Sequence, residues 1–499
     1  MTSPAAIPSP EDRGSGPLFW PPTQRILRIL ILFLLAARFL FLAADFPNFS
    51  WWSDDAARYT DEGWYAAGAV NHVLFGHWLL PGDFNAAVAL PLWPLMLSAV
   101  FHFTGVSIVA MRTLEAVCSC LAVVLAGRLY ARYEPRGALW FTLLLAASPI
   151  FFFFGRLAIL EEPMLVFALA AMLVASRLGQ RSVAAAAVTG LLLLAAFLIK
   201  TTALFLLPVI LYQIWFAHRR QRGIFLLLAA TVCAVLALGY VADWLLLLHP
   251  YAADYRAFMG ENRPSISARS IEKAVRILYR GYTWMDHLLF PLACLAVLLS
   301  VTRLRRMWRD PLTGIAILWL VGYSAFMVLH VDAGPRYFVV LVPPMLMLCF
   351  VLARTVAADG LRWLRLIVAV MAVALLWNVS YIGWLLLRPQ YTLLIAARNI
   401  RRVIDSHPAV PKMIVGHGAV EITLWNRVPA FNEFGSASLG EKLDRYHPGW
   451  LLLWNDVPEL AKLPAFVSRY NVVPAGSFAA LDQRGRDALL LYRLEPRTH

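Results

Sequence analysis

Asp61 and Glu62 stand side by side in a hydrophilic stretch of a chain otherwise dominated by long apolar runs. Adjacent carboxylates repel, so one holds its proton more readily, while an ionised one can accept a proton from a hydroxyl. Within Thr60-Asp61-Glu62-Gly63-Trp64-Tyr65 the plainer alternative is a helix start, where acids offset the macrodipole. A second acidic group, Glu161-Glu162-Pro163, follows Gly155-Arg156. Pro163 suits the first turn of a helix and the acids suit its N-terminus, but two acids exceed what capping needs. Three cations also stand out. Arg112 lies one turn inside an apolar run, with Glu115 three residues on as an internal ion-pair partner. Lys200 ends an apolar run, where snorkelling to the interface is the ordinary role of a lone lysine. Arg336, in Pro335-Arg336-Tyr337 after Asp332, opens another run, and its guanidinium suits bidentate phosphate binding. His249, Tyr251, Asp254 and Tyr255 open a later hydrophilic stretch. The 11 histidines show no zinc spacing, and no Gly-rich phosphate loop, GxSxG or CxxC pair occurs. A soluble nucleotide-sugar site and a metal centre are therefore unsupported.

The elements that must position these groups are membrane helices. Of 499 residues 60% are hydrophobic and 15% charged, against roughly 45–50% apolar in soluble domains. Crossing the hydrocarbon takes about 20 apolar residues. Candidate spans are 25–45, 107–130, 138–154, 158–177, 183–199, 201–217, 224–247, 286–302, 312–330, 337–354 and 363–386, about eleven in all. The stretch 183–217 divides at Lys200, because one helix of that length would overshoot a bilayer. All five cysteines fall in apolar runs and say nothing about redox compartment.

The net charge of +14 could suggest nucleic acid, but the arginines crowd short alternate loops: Arg128, Arg132 and Arg136; Arg177 and Arg181; Arg219, Arg220 and Arg222; Arg303 to Arg309; Arg354, Arg362 and Arg365. Positive charge marks the cytoplasmic side. Residues 1–22, rich in Pro, Ser and Gly, then form a disordered cytoplasmic N-terminus, and the membrane part covers 23–387. Every unusual acid and base falls on the opposite, outer side. The first outer loop spans about 46–106, and its apolar segment 91–104 reads as an interfacial helix. From 388 to 499 composition changes. Tyr391–Ile404, Ser438–Tyr446 and Val457–Tyr470 read as helices, and Lys412–Val415, Trp450–Trp454, Asn471–Val473 and Ala488–Leu494 as strands, which predicts a small outer α/β domain.

The order of short motifs resembles the GT-C superfamily of glycosyltransferases, in particular the branch of protein O-mannosyltransferases and lipid A aminoarabinose transferases. The motifs are Asp61-Glu62, the PLWP segment from Pro91, MRTLEAV around Arg112, SPIFFFFGR with EEP between Ser148 and Pro163, Lys200, and PRYFVVLVPP from Pro335 to Pro344. The resemblance covers about residues 20–390. It implies an all-α polytopic membrane fold and transfer of one sugar from a polyprenyl-phosphate carrier to an acceptor lipid, glycan or protein outside the cytoplasm. By the motif match Asp61 would be the catalytic carboxylate, Glu62 its neighbour, and Glu161 would stand where the family usually has aspartate. Arg112, Lys200 and Arg336 would hold the donor phosphate, supported by Arg156, Glu162 and Tyr337. No cofactor or metal is expected, and the partners would be the lipid-linked sugar, its acceptor and the bilayer of a plasma (inner) membrane, with no nucleic acid. Two departures set the chain apart from the aminoarabinose branch: Trp64 stands where that branch often has a basic residue, and Ala89-Leu90-Pro91 where it has Glu-Lys-Pro. The alternative is a polytopic lipid or glycan transporter, which would place its charges near the bilayer midplane and show paired repeats.

Overall fold

The structure is a computed structural model and describes residues 24–47, 57–178, 182–261, 270–302, 310–330, 334–357, 360–481 and 485–497. The expected disordered N-terminus, Arg181, Arg303 to Arg309 and Asp332 lie outside these residues. The helices of the first part are α1 (Gln24–Ala37), α2 (Ala57–Phe75), α3 (Leu92–Thr104), α4 (Ile108–Tyr133), α5 (Ala138–Ala146), α6 (Pro149–Phe154), α7 (Glu161–Ala175), α8 (Val183–Ile199), α9 (Leu207–His218), α10 (Arg222–Asp243), α11 (Ala252–Glu261), α12 (Ser270–Arg280), α13 (Leu289–Thr302), α14 (Pro311–Leu329), α15 (Val342–Ala357) and α16 (Leu361–Leu386). Six described helical stretches are long and apolar enough to cross a membrane: Ile108–Tyr133, Thr201–His218, Arg222–Gly260, Pro311–Leu329, Pro335–Ala357 and Leu361–Leu386. The chain is a multi-pass membrane protein.

Several expected spans are interrupted, each for a local reason. The run at 25–45 is helical only to Ala37, and Arg38 then turns into the bundle, donating to Ser119 Oγ at 2.8 Å and to the carbonyls of Phe151 and Ala146 at 2.9 and 3.2 Å. The run at 138–154 breaks between α5 and α6, because Pro149 holds Ser148 in an extended conformation. Lys200 is extended as well (φ −152°, ψ 120°), so the division of 183–217 at this residue is realised. The stretch after His249, expected as a loop, carries α11, which is continuous with α10, and α12. The expected helix at 91–104 is α3, and α2 supplies the other helix of the first outer loop.

The C-terminal part starts with α17 (Thr392–Asp405), followed by α18 (His417–Asn426), α19 (Leu439–Tyr446), α20 (Val457–Leu460) and α21 (Leu463–Val467). The strands are β1 (Ile414–Val415), β2 (Ala430–Phe431), β3 (Trp450–Trp454), β4 (Tyr470–Ala479) and β5 (Ala488–Pro496), in the order β2-β1-β3-β5-β4. β1 runs parallel to β2 and β3, while β5 is antiparallel to β3 and β4. β3, Trp-Leu-Leu-Leu-Trp, is buried on both faces, which suits a central strand. Ser438 and Glu441 form a capping box that starts α19 where the sequence placed it. The expected helix at 457–470 is two short pieces, each opened by a proline, before β4 begins. α18 and β2 escaped the sequence reading, since Gly416-His417-Gly418 looks like a turn.

This α/β part rests on the first outer loop. Asn432 donates its backbone N–H to Asp83 at 2.9 Å and its side-chain amide to the Phe84 carbonyl at 2.7 Å. Lys442, wholly buried, lies 3.5 Å from Asp83 and donates to the carbonyls of Asn432 and Phe434 at 2.6 and 2.8 Å. Burial pushes the Asp83 carboxyl up to about 7 against the pull of Lys442 and the Asn432 N–H. Tyr446 donates to the Pro81 carbonyl at 2.6 Å, and Arg427 to Val106 at 2.7 Å. At the joint between the two parts, Asp45 accepts from the N–H groups of Thr392 and Leu393 at 3.1 and 3.3 Å.

Candidate functional site

α2 carries the two acids that open the sequence argument. Consecutive helical residues point about 100° apart, so the pair diverges. Glu62 turns to α4, where it takes a bidentate fork from Arg112 at 2.8 and 2.5 Å. It also accepts the Ala158 N–H at 3.0 Å. Arg112 donates further to the carbonyls of Leu42 and Ala44 at 2.8 and 2.7 Å. Both side chains are buried, so this ion pair joins the first loop, α4 and the turn before α7 in a low-dielectric setting. The expected Arg112–Glu115 pair does not form, and Glu115 instead lies among Glu162, Glu161 and Glu62.

Asp61 turns the other way, to Arg336 at 2.9 Å, with both side chains about one-sixth exposed or less (16% and 14%). Arg336 lies on the 3-10 segment Pro335–Leu341 that leads into α15. Burial raises the Asp61 carboxyl above its ordinary range, and Arg336 is the main force opposing that rise.

Lys200, at the break after α8, meets Glu161 at 2.6 Å and the Ile159 carbonyl at 3.5 Å. Its ammonium lies 4.9 Å from the ring centre of Tyr337 and 5.9 Å from that of Tyr65. Leu160, just before Glu161, adopts the left-handed conformation at φ 76°, a strained position for a branched side chain. That turn directs both the Ile159 carbonyl and the Glu161 carboxylate at Lys200. Arg336 lies 5.1 Å from the Tyr337 ring centre, so one tyrosine face touches both cations.

Asp61, Arg336, Tyr337, Lys200 and Glu161 are therefore one cluster, and Glu62 with Arg112 adjoins it. Arg156 is spent on the segment after α1, donating to the Leu40 carbonyl and lying over Phe46 at 4.8 Å. Glu162 is wholly buried with Glu115 and Glu161, facing Arg38. In the hydrophilic stretch after α10, Asp254 accepts from Ser436 of the tail and Tyr255 meets Tyr240 at 3.0 Å, so these groups act in packing.

The sequence reading passed over Tyr65, Arg38 and two tail residues, His417 and Glu421. Tyr65 was in the quoted motif but without a role. His417 and Glu421 are four apart, the spacing that puts an acid and a base on one helix face, yet α18 itself was not foreseen. Among the described residues no cluster of three or more His, Cys, Asp or Glu side chains has metal-holding geometry.

Residues 88–245 match the family described as dolichyl-phosphate-mannose-protein mannosyltransferase. No curated protein matches the chain. Among solved structures, ArnT from Cupriavidus metallidurans bound to undecaprenyl phosphate is similar with a TM-score of 0.60 at 14% identity, covering 94% of this chain and 98% of that one. Its apo state gives a TM-score of 0.60 at 16% identity with the same coverage, 94% and 98%. The archaeal oligosaccharyltransferase AglB from Archaeoglobus fulgidus, in complex with an inhibitory peptide and a dolichol-phosphate, gives a TM-score of 0.54 at 11% identity over 90% of this chain and 73% of that one. Identities this low speak to fold. The fold is the GT-C type, a helical membrane domain with a small C-terminal α/β part, as the sequence predicted.

Proposed function

We propose that the chain is a membrane glycosyltransferase that moves one sugar from a polyprenyl-phosphate donor to an acceptor hydroxyl on the extracytoplasmic face. The single observation that carries this reading is the Asp61–Arg336 contact at 2.9 Å, which brings residues 275 positions apart in the chain to one carboxylate–guanidinium centre beside Lys200. The similarity to a family described by a dolichyl-phosphate-linked sugar, and to a fold seen with undecaprenyl phosphate, supports the choice of donor class.

In this reading Lys200 and Arg336 face the donor phosphate, and Tyr337, lying against both, fixes their approach. As the bond from the anomeric carbon to the phosphate oxygen breaks, its electron pair passes to the phosphate, where these cations stabilise it. The acceptor oxygen forms the new bond to the anomeric carbon, and its proton goes to Asp61. A single displacement inverts the configuration. Glu161 holds Lys200 in place. Arg112 takes a different role from the one its motif suggested: four of its N–H contacts go to Glu62 and two loop carbonyls, so it fastens α2 to α4 rather than holding phosphate. The arginine-rich loops support a cytoplasmic N-terminus and an outer site in a plasma (inner) membrane.

The test is Asp61→Asn in a deletion strain, with surface glycans and lipids profiled by mass spectrometry. The variant should accumulate in the membrane like the parent and leave the deletion profile unchanged. A wild-type glycan profile from Asp61→Asn would refute the assignment.

A further inference from the structure

Resting on that reading, we propose that the C-terminal α/β part completes the Asp61 site: it lays His417 and Glu421 against α2, and the pair serves as positioning residues for the charge of Asp61. The contact between the two helices is made by backbone. A Cβ on Gly63 would lie 2.5 Å from the carbonyl carbon of Glu421 and closer still to its oxygen, so only glycine lets α18 come this near. Gly63 is two residues from Asp61. Glu421 is wholly enclosed and firmly held: Trp454 Nε1 donates to it at 2.7 Å, His417 Nε2 lies 3.2 Å away, and Arg486 stands at 3.7 Å. His417 also meets Asn432 Oδ1 through Nδ1 at 3.1 Å. Both ring nitrogens thus face acceptors, an arrangement that favours the imidazolium, in which both donate. Asn432 is the same residue that ties the tail to Asp83 and Phe84.

A run of rings leads along the same seam. His417 lies 5.4 Å from Phe434, Phe434 4.9 Å from Phe84, and Phe84 5.5 Å from Trp64, three residues beyond Asp61 on α2. α18 lies between β3 and α2, so the pair it carries is set at the seam between the two parts.

The charged groups that bear on Asp61 come from three elements. Arg336 of the 3-10 segment and Lys200 at the end of α8 favour its ionised form, as does His417 of α18, while Glu421 of α18 opposes it. Tyr65 on α2 and Tyr337 are the phenols in the same cluster. Burial pulls His417 down, yet Glu421 and Asn432 more than offset this and raise it to about 9, so it is a cation at neutral pH. Asp61 is thus held between two cations of the bundle and one ion pair of the tail. The two members of the tail pair act in opposite senses. Removing His417 makes Asp61 cling to its proton, and removing Glu421 lets the proton go more easily.

The test reads the protonation of Asp61 directly and needs no substrate. The full chain, purified in detergent, is treated with a carbodiimide and a small amine over a pH series, and modification at Asp61 is quantified by peptide mass spectrometry. Carbodiimides react with the protonated carboxyl, so the labelling midpoint reports its titration. His417→Gln should move the midpoint to higher pH and Glu421→Gln to lower pH, each by at least about half a pH unit. Unmoved midpoints, or shifts in one shared direction, would overturn the proposal, because a purely structural role predicts one or the other. If a variant fails to accumulate, Arg486→Gln decides: it strengthens the influence of Glu421 and should raise the midpoint, and no shift would overturn the proposal. Transfer by Asp61→Asn would sink the catalytic reading while leaving this titration intact, so the two failures are distinguishable.

Discussion

Gly63→Ala is the sharpest perturbation available at the seam between the two parts. The added methyl would lie 2.5 Å from the Glu421 carbonyl carbon and 3.0 Å from its Cα. Carbon–carbon contacts are comfortable at about 3.5–4.0 Å. One helix must therefore withdraw by about 1 Å or more. The obstacle is backbone inside α18, which cannot swing aside like a side chain. Overpacking of this kind costs about 1–3 kcal/mol. An alanine in a helix offsets that by under about 1 kcal/mol of propensity, so the clash wins. Withdrawal also loosens the Asn432, Lys442 and Tyr446 contacts to the first loop and moves Glu421 and His417 off Asp61. The expected result is a lower melting temperature of the purified protein together with a loss of transfer activity larger than the loss of membrane protein. Gly383→Ala is the matched control: it too lies in a helix, but a Cβ there meets nothing within 4 Å. It should be neutral or slightly stabilising. Gly63→Ala behaving like Gly383→Ala in both assays would refute the close-contact argument.

Three further outcomes follow from the same geometry. Glu62→Gln breaks the buried bidentate ion pair with Arg112 and should cost about 3–5 kcal/mol, seen as poor accumulation or early melting. Lys200→Gln should abolish the rise in melting temperature that an added polyprenyl phosphate gives the parent protein, since ligand binding stabilises only where it binds. The His417 imidazole is raised to about 9, so its contribution to stability is complete below its ordinary value of about 6.5 and is lost as pH rises through about 9. Between about pH 7.5 and 9.5, above the range where Asp83 titrates, melting should fall by an amount on the order of 1–2 kcal/mol, and His417→Gln should flatten that fall.

The multi-pass helical character was legible because the length of apolar runs is a property of local composition. The break at Lys200 was legible for the same reason: a helix through it could not fit a bilayer. Asp61, Lys200, Arg336, Tyr337 and Glu161, which the motif reading named together, do meet. What the sequence hid was the division of labour. Adjacent letters such as Asp61-Glu62 look like one functional unit, but a helix sends them to different partners, and only the placement of α4 reveals that Arg112 belongs to Glu62. The end of α1 was hidden too, because nothing local distinguishes Arg38 from an arginine at a membrane boundary. Its destination is a pair of carbonyls more than 100 residues away. α18 was hidden by its glycines, which read as a turn when taken alone. Their reason is external to the helix: at Gly416, with φ 132°, a side chain would meet the Leu452 carbonyl of β3.

The arrangement also explains why a membrane enzyme would carry a tail that bears none of its motifs. A carboxylate that must accept a proton cannot be tied wholly to an arginine, or its basicity is lost, and cannot stand alone in a buried setting, or it stays protonated. Arg336 by itself offers only the first extreme. A second, weaker influence of mixed sign allows the balance to be set, and α18 supplies one in the His417–Glu421 pair. Because that pair arrives on the C-terminal α/β part, the balance depends on docking. Asn432 at Asp83, Tyr446 at Pro81 and Glu421 at Gly63 all meet the first loop, whose helix α2 bears Asp61. Loosening the tail should therefore change the chemistry before it unfolds the membrane bundle. Transfer and the Asp61 titration would fail at milder perturbation than helix content measured by circular dichroism, and simultaneous loss of all three would contradict this order.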